Sequence, residues 1–253
     1  MRGIRVMIRN NLKFIIFLAV FGLIGGYFTA LYSVEMLDPN ALEQAVSQVG
    51  SVEILILVST VQSLLYAVVL GVIGILISKK IGLWRDVFTL EAKPLIYTVV
   101  ASLIGGAFFI LADVLLFAKL IPPVLDSYLV KPTLNYIIAS ITYGGVVEEV
   151  MLRLFFMSLI AFVISRFSKD KTATDTHFII ANILSSLLFA LGHLPATAVS
   201  IGITPIILIR CLVMNGGFGL IFGRMYRKYG IQYAMLTHAG VHIISKLIWL
   251  IFI

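Results

Sequence analysis

Seven predominantly apolar stretches, 17 to 31 residues long, divide this chain: residues 12–34, 54–77, 94–118, 134–164, 178–194, 204–223 and 231–253. A hydrocarbon core about 30 Å thick is crossed by roughly 20 apolar residues in a helix. Lipid offers no partner to an open backbone amide, so each crossing run must satisfy its own backbone. The sequence therefore predicts an all-α fold, a polytopic transmembrane helical bundle of seven spans, formed as one integral membrane domain over residues 1–253. Pro195 interrupts the fifth run, which leaves room for an eighth, short re-entrant segment after His193. With 60% of residues apolar and 12% charged, a soluble domain is excluded.

The net charge of +7 does not point to nucleic acid, because the basic residues are dispersed among the connections. Arg2, Arg5, Arg9, Lys13, Lys79, Lys80, Arg85, Lys93, Arg166, Lys169, Lys171, Arg224, Arg227 and Lys228 fall on one set of alternating loops, and only Lys119 and Lys131 on the other. That bias predicts a multi-pass protein of the cell membrane with a cytoplasmic N-terminus. The first run is too long for a signal peptide and has no small-residue cleavage site, so an uncleaved span is expected. Asp38-Pro39-Asn40 reads as a turn, Pro122-Pro123 breaks the loop after the third run, and residues 81–90 read as a short interfacial segment. Cys211, the only cysteine, sits in an apolar run with no local base, and is expected to be a packing residue.

The fourth run carries what an apolar helix should lack: Gly144-Gly145-Val146-Val147-Glu148-Glu149-Val150-Met151-Leu152-Arg153. Each charge at bilayer depth costs roughly 2.5–3.5 kcal/mol on insertion scales, so such residues face the protein interior. Glu149 and Arg153 are i,i+4 neighbours and pair along one helix face. Glu148 lies about 100° further round and is free to face something else.

Three of the four histidines are also intramembrane: His193 in the fifth run, and His238 and His242 on one face of the seventh. Counted at ~1.5 Å per residue from the basic helix ends, Glu148, His193, His238 and His242 lie at ~24, ~23, ~15 and ~21 Å. Four such groups at comparable depth are compatible with one site. A carboxylate with imidazoles is an inventory for activating water and holding an oxyanion. The same four side chains, Glu148, His193, His238 and His242, are also the candidate ligands for Zn²⁺ or another divalent metal, with a position open for water. The metal-free reading is preferred, because Glu149 is expected to be held by Arg153 and no other carboxylate is at hand to fix the imidazoles.

Glu148-Glu149-x-x-x-Arg153, Phe189-x-x-x-His193 and His238-x-x-x-His242 follow one another on three separate runs. Together they resemble the CPBP family of intramembrane proteases, which includes type II CaaX prenyl endopeptidases and bacteriocin-processing or immunity proteins. The resemblance covers about residues 133–253 and implies an intramembrane endopeptidase acting on a membrane-associated peptide or protein. It makes Glu148 the catalytic glutamate and His193 the histidine that shares its water. His238 and His242 then stabilise the oxyanion, and Glu149 and Arg153 form a supporting ion pair. His242 stands where asparagine is common in the family, and Leu152 where an aromatic residue is frequent.

The same residues admit other readings. A catalytically silent immunity or scaffold protein would keep the family's motifs. A proton-coupled transporter would use the Glu/His cluster as a relay, but no inverted repeat is visible. A retinal protein would need Lys246 and Asp113, yet Lys246 is ~27 Å from Lys228 and is expected to snorkel to the outer surface. Arg210 pairs with Asp113 or a motif carboxylate, or only fixes packing; Asn182 and Asn215 read as interhelical contacts, and Thr142 and Tyr143 as pocket candidates.

Overall fold

The computed structural model describes residues 2–253, with side chains described from Val6 onward; the expected topogenic side chains of Arg2 and Arg5 lie outside the described residues. The chain forms helices α1 (Arg2–Asn10), α2 (Leu12–Met36), α3 (Pro39–Val49), α4 (Val52–Lys80), α5 (Ala92–Leu120), α6 (Pro122–Leu129), α7 (residues 134–165), α8 (Asp175–Ile201), α9 (Pro205–Tyr229) and α10 (Ile231–Phe252). There is no strand among the described residues. Helices α2, α4, α5, α8, α9 and α10 are each long and apolar enough to cross a membrane. The remaining expected span falls on α7, the helix of the two glutamates, which is not one of these six.

Helix α7 occupies the centre and touches α2, α4, α8, α9 and α10. Its apolar residues Val147, Val150, Leu154, Met157 and Ala161 are completely or almost completely buried and pack with Leu18, Ile75, Phe222, Tyr226 and Tyr233. The outward faces of the bundle remain apolar: Leu57, Ile104 and Ile179 are each at least 60% exposed. A continuous apolar exterior is costly in water and natural in lipid.

Around the diglutamate the helix is wider than expected. Residues Ser140–Glu148 and Val150–Met157 run as π-helix, with further π-turns at Tyr66–Leu70, Asp113–Phe117 and Leu212–Gly216. Widened turns of this kind re-aim side chains and are frequent at functional sites. At Gly145 the neighbouring span comes unusually close, since a Cβ there would stand 2.8 Å from that of Ala239.

Two expected loops are helical. Asp38 accepts hydrogen bonds from the amides of Asn40 and Ala41, so the Asp-Pro pair is an N-cap with proline in the first turn of α3, not a free turn. Pro122-Pro123 likewise opens α6 instead of only breaking the loop. Residues 81–91 are largely irregular, with Leu83 buried and Trp84 against Phe14. After His193, a turn residue, helix resumes as Leu194–Ile201 within the same 27-residue span.

The two loop sets separate to opposite ends. Glu35 accepts from Thr133 and Asn135, and Lys131 donates to the Leu250 carbonyl, gathering the base-poor connections. At the other end Arg227 pairs with Asp175, and Gln232 donates to the Asp86 carbonyl.

Lys246 corrects an expectation. It does not snorkel but is buried, 4% exposed, with its Nζ 4.3 Å from the Tyr136 ring centre. Arg210 grips Asp113 through both Nε and Nη2, and the Tyr128 hydroxyl donates to Asp113 at 2.7 Å. Burial and the Asp113 charge push the Tyr128 phenol above its ordinary range, so it stays a donor. This network is internally satisfied and ties α5, α6 and α9 together.

Candidate active site

Glu148, His193, His238 and His242 line one cavity of about 260 Å³ in the middle of the bundle. Its other walls are mainly aromatic and apolar, including Phe109, Tyr136, Tyr143, Phe189, Met214, Phe218 and Phe222. The cavity extends past Thr29 and Tyr32, toward the end of the bundle that holds Glu35. Four polar groups converging on an apolar recess of this kind make a default site for ligand and chemistry.

Each imidazole is held by a different contact. His193 ends the first segment of α8, where its Nδ1 lies 2.8 Å from the Phe189 carbonyl oxygen. A carbonyl only accepts, so Nδ1 carries the proton and the neutral ring keeps an unprotonated Nε2. His238 places Nδ1 2.9 Å from Glu149 Oε1, and its ring stacks on Phe222 with centroids 4.3 Å apart. The carboxylate is an acceptor as well, so His238 has the same polarity. His242 lies one turn further along α10, its ring centre 4.9 Å from that of His238.

Gly144 determines how closely His242 and Glu148 approach. A Cβ at that position would stand 3.1 Å from His242 Nε2 and 3.8 Å from Glu148 Oε2. The missing methyl thus leaves space directly between a carboxylate and an imidazole nitrogen. Tyr143, the preceding residue, lines the same cavity, whereas Thr142 turns away and donates to the Ile138 carbonyl.

Glu149 and Arg153 do not line the cavity; both are completely buried behind it. They pair as the i,i+4 spacing requires, Arg153 Nε lying 3.5 Å from Glu149 Oε2. The guanidinium carbon also sits 4.9 Å from the centre of the Phe189 ring. That ring meets His193 and His238 edge-on at 4.8 and 5.6 Å, so Phe189 joins the ion pair to both histidines. Glu149 is therefore not consumed by Arg153, as the residues alone suggested: one oxygen faces the arginine and the other fixes His238.

Sequence reasoning placed Asn215 at a helix contact and overlooked its position on the cavity wall. It also overlooked the contact of Lys246 Nζ with His242 Nδ1 at 3.4 Å. The four-residue spacing on one helix was the available signal. Cys211 is buried, its thiol 3.0 Å from the Ala190 carbonyl, and serves packing. Among the described residues no group of three or more His, Cys, Asp or Glu side chains is placed to hold a metal ion.

A family model, type II CAAX prenyl endopeptidase Rce1-like, matches residues 129–244. The matched segment begins just before α7 and ends within α10, and it includes Glu148, Glu149, Arg153, His193, His238 and His242. Neither the curated proteins nor the solved structures give a match.

Proposed function

Because residues 129–244 match a family model of Rce1-like type II CAAX prenyl endopeptidases, we propose that this membrane protein is an intramembrane endopeptidase. It hydrolyses a peptide bond of a membrane-associated peptide or protein with a water molecule activated by Glu148 and His193. The observation that carries this reading is the meeting of Glu148, His193, His238 and His242 in one apolar-walled cavity.

The substrate carbonyl enters the recess beside Glu148. Water donates one proton to the Glu148 carboxylate and the other, as a hydrogen bond, to the bare Nε2 of His193. The water oxygen attacks the carbonyl carbon, and the carbonyl π-electrons move to oxygen, giving a tetrahedral oxyanion. His242 and His238 face that charge in a water-poor site, where donors are worth more than in bulk water. His238 donates from Nε2 only as imidazolium, which Glu149 stabilises through Nδ1. The carbonyl re-forms as the C–N bond breaks, and Glu148 returns its proton to the departing amine. Glu149 and Arg153 touch no reacting atom and act by positioning His238 and Phe189.

Comparison of membrane-associated peptides from cells carrying wild type or Glu148→Ala tests the proposal. A peptide that accumulates uncut only with the variant supports it. Identical peptide complements would favour the silent scaffold or immunity role that the same motifs allow.

A further inference from the structure

Lys246 is a buried amine that the chemistry above does not use. It does not line the cavity, because Tyr136 stands at the wall with the lysine Nζ 4.3 Å from its ring centre. Among the described residues no carboxylate lies within ion-pair distance of it. Its nearest polar partner is His242 Nδ1 at 3.4 Å, one turn back along α10. A buried lysine without a carboxylate partner is costly unless the protons of its amine find acceptors.

We propose that Lys246 is a positioning residue that makes His242 the oxyanion donor, by donating to Nδ1 and so holding the imidazole proton on Nε2. This inference rests on the endopeptidase reading for its catalytic meaning, but not for the contact itself. A neutral imidazole has one N–H, and an ammonium donates without accepting. With Nδ1 receiving from Lys246, the N–H is on Nε2, which points to the space between Gly144 and Glu148.

The other two histidines have the reverse polarity. Their Nδ1 atoms face the Phe189 carbonyl and the Glu149 carboxylate, so their Nε2 atoms carry no proton in the neutral ring. Of the three imidazoles on the cavity, His242 is thus the one that donates from Nε2 while uncharged. An asparagine at this position would always present an N–H, whereas a histidine needs a neighbour to choose its tautomer. Lys246 supplies that choice from behind the ring.

The test is ¹⁵N-histidine NMR of the full-length protein in detergent micelles, with His242 assigned from the signal lost in His242→Gln. The expected wild-type spectrum shows His242 protonated at Nε2 and unprotonated at Nδ1. Lys246→Met keeps the bulk and removes the donor, and it is expected to move His242 toward the Nδ1–H form. Lys246→Arg is expected to retain the wild-type tautomer. An Nδ1–H form in the wild type, or an unchanged tautomer in Lys246→Met, overturns the proposal.

On a peptide cut by the wild type, Lys246→Met should lower kcat by about 10²–10³-fold, the loss typical of one oxyanion donor. KM should stay unchanged and Lys246→Arg should restore turnover. Unchanged kcat despite a shifted tautomer overturns the catalytic role of the contact. A wild type that cuts no peptide counts against the endopeptidase reading, and the spectra then still decide the contact.

Discussion

Glu149 Oε1 lies 2.9 Å from His238 Nδ1, a contact that joins the central helix to the last one at full burial. Its other oxygen faces Arg153 at 3.5 Å, so one carboxylate serves both a charge and a ring. Removing one member of a buried ion pair leaves a stranded charge, at a cost of about 3–5 kcal/mol. Arg153→Ala is accordingly expected to lower folded yield and thermal stability in detergent. The double variant Glu149→Leu/Arg153→Met should recover most of that stability but not cleavage, since His238 then lacks its anchor. Thermal unfolding of the single and double variants measures this, and a double variant no more stable than Arg153→Ala would refute it.

The adjacent glycines of α7 separate function from packing. Gly144→Ala places a methyl 3.1 Å from His242 Nε2 and close to Glu148. It should reduce turnover with little loss of stability. Gly145→Ala instead meets Ala239 Cβ at 2.8 Å and its Cα at 3.1 Å, backbone that does not move easily. It should lower stability first, by about 1–3 kcal/mol as overpacking does. Parallel melting and turnover measurements on the two variants would show the opposite ranking if this assignment were wrong.

Much of the architecture was legible because bilayer physics restricts the choices. Apolar run length indicated the spans, and the intramembrane charges on α7 indicated where the interior lies. The four cavity residues were nameable because polar groups at comparable depth coincided with three motifs that resemble a known family. The cross-helix contact of Glu149 with His238 was not legible, because spacing along a helix gives its own neighbours but not the rotation of another helix toward it. Lys246 was misplaced for a related reason. Helical side chains lean toward the N-terminus, which directs Lys246 back to His242 and away from the outer surface. At Asp38-Pro39 the turn signal and the N-cap signal share the same residues, and only the helix that follows separates them.

Topology is checked by accessibility. In a Cys211→Ser background, a cysteine at exposed Glu43 should react with impermeant maleimide on intact cells. A cysteine at exposed Lys169, on the base-rich end, should react only after lysis. The reverse pattern would invert the orientation.

Purified protein is expected to hold well under one equivalent of zinc by elemental analysis, and prolonged chelation should leave cleavage intact. Stoichiometric zinc that is lost in His238→Ala, with activity restored by zinc in the chelated wild type, would establish a metal mechanism instead.

In the proposed mechanism the Glu148 carboxylate is the base that activates water. The most direct measurement of this role is the turnover of Glu148→Gln on a peptide cut by the wild type, in protein shown by melting to be folded. The expected result is a loss on the order of 10²–10⁴-fold or more, because the amide keeps the shape and removes the proton acceptor. Wild-type turnover by folded Glu148→Gln would contradict the account.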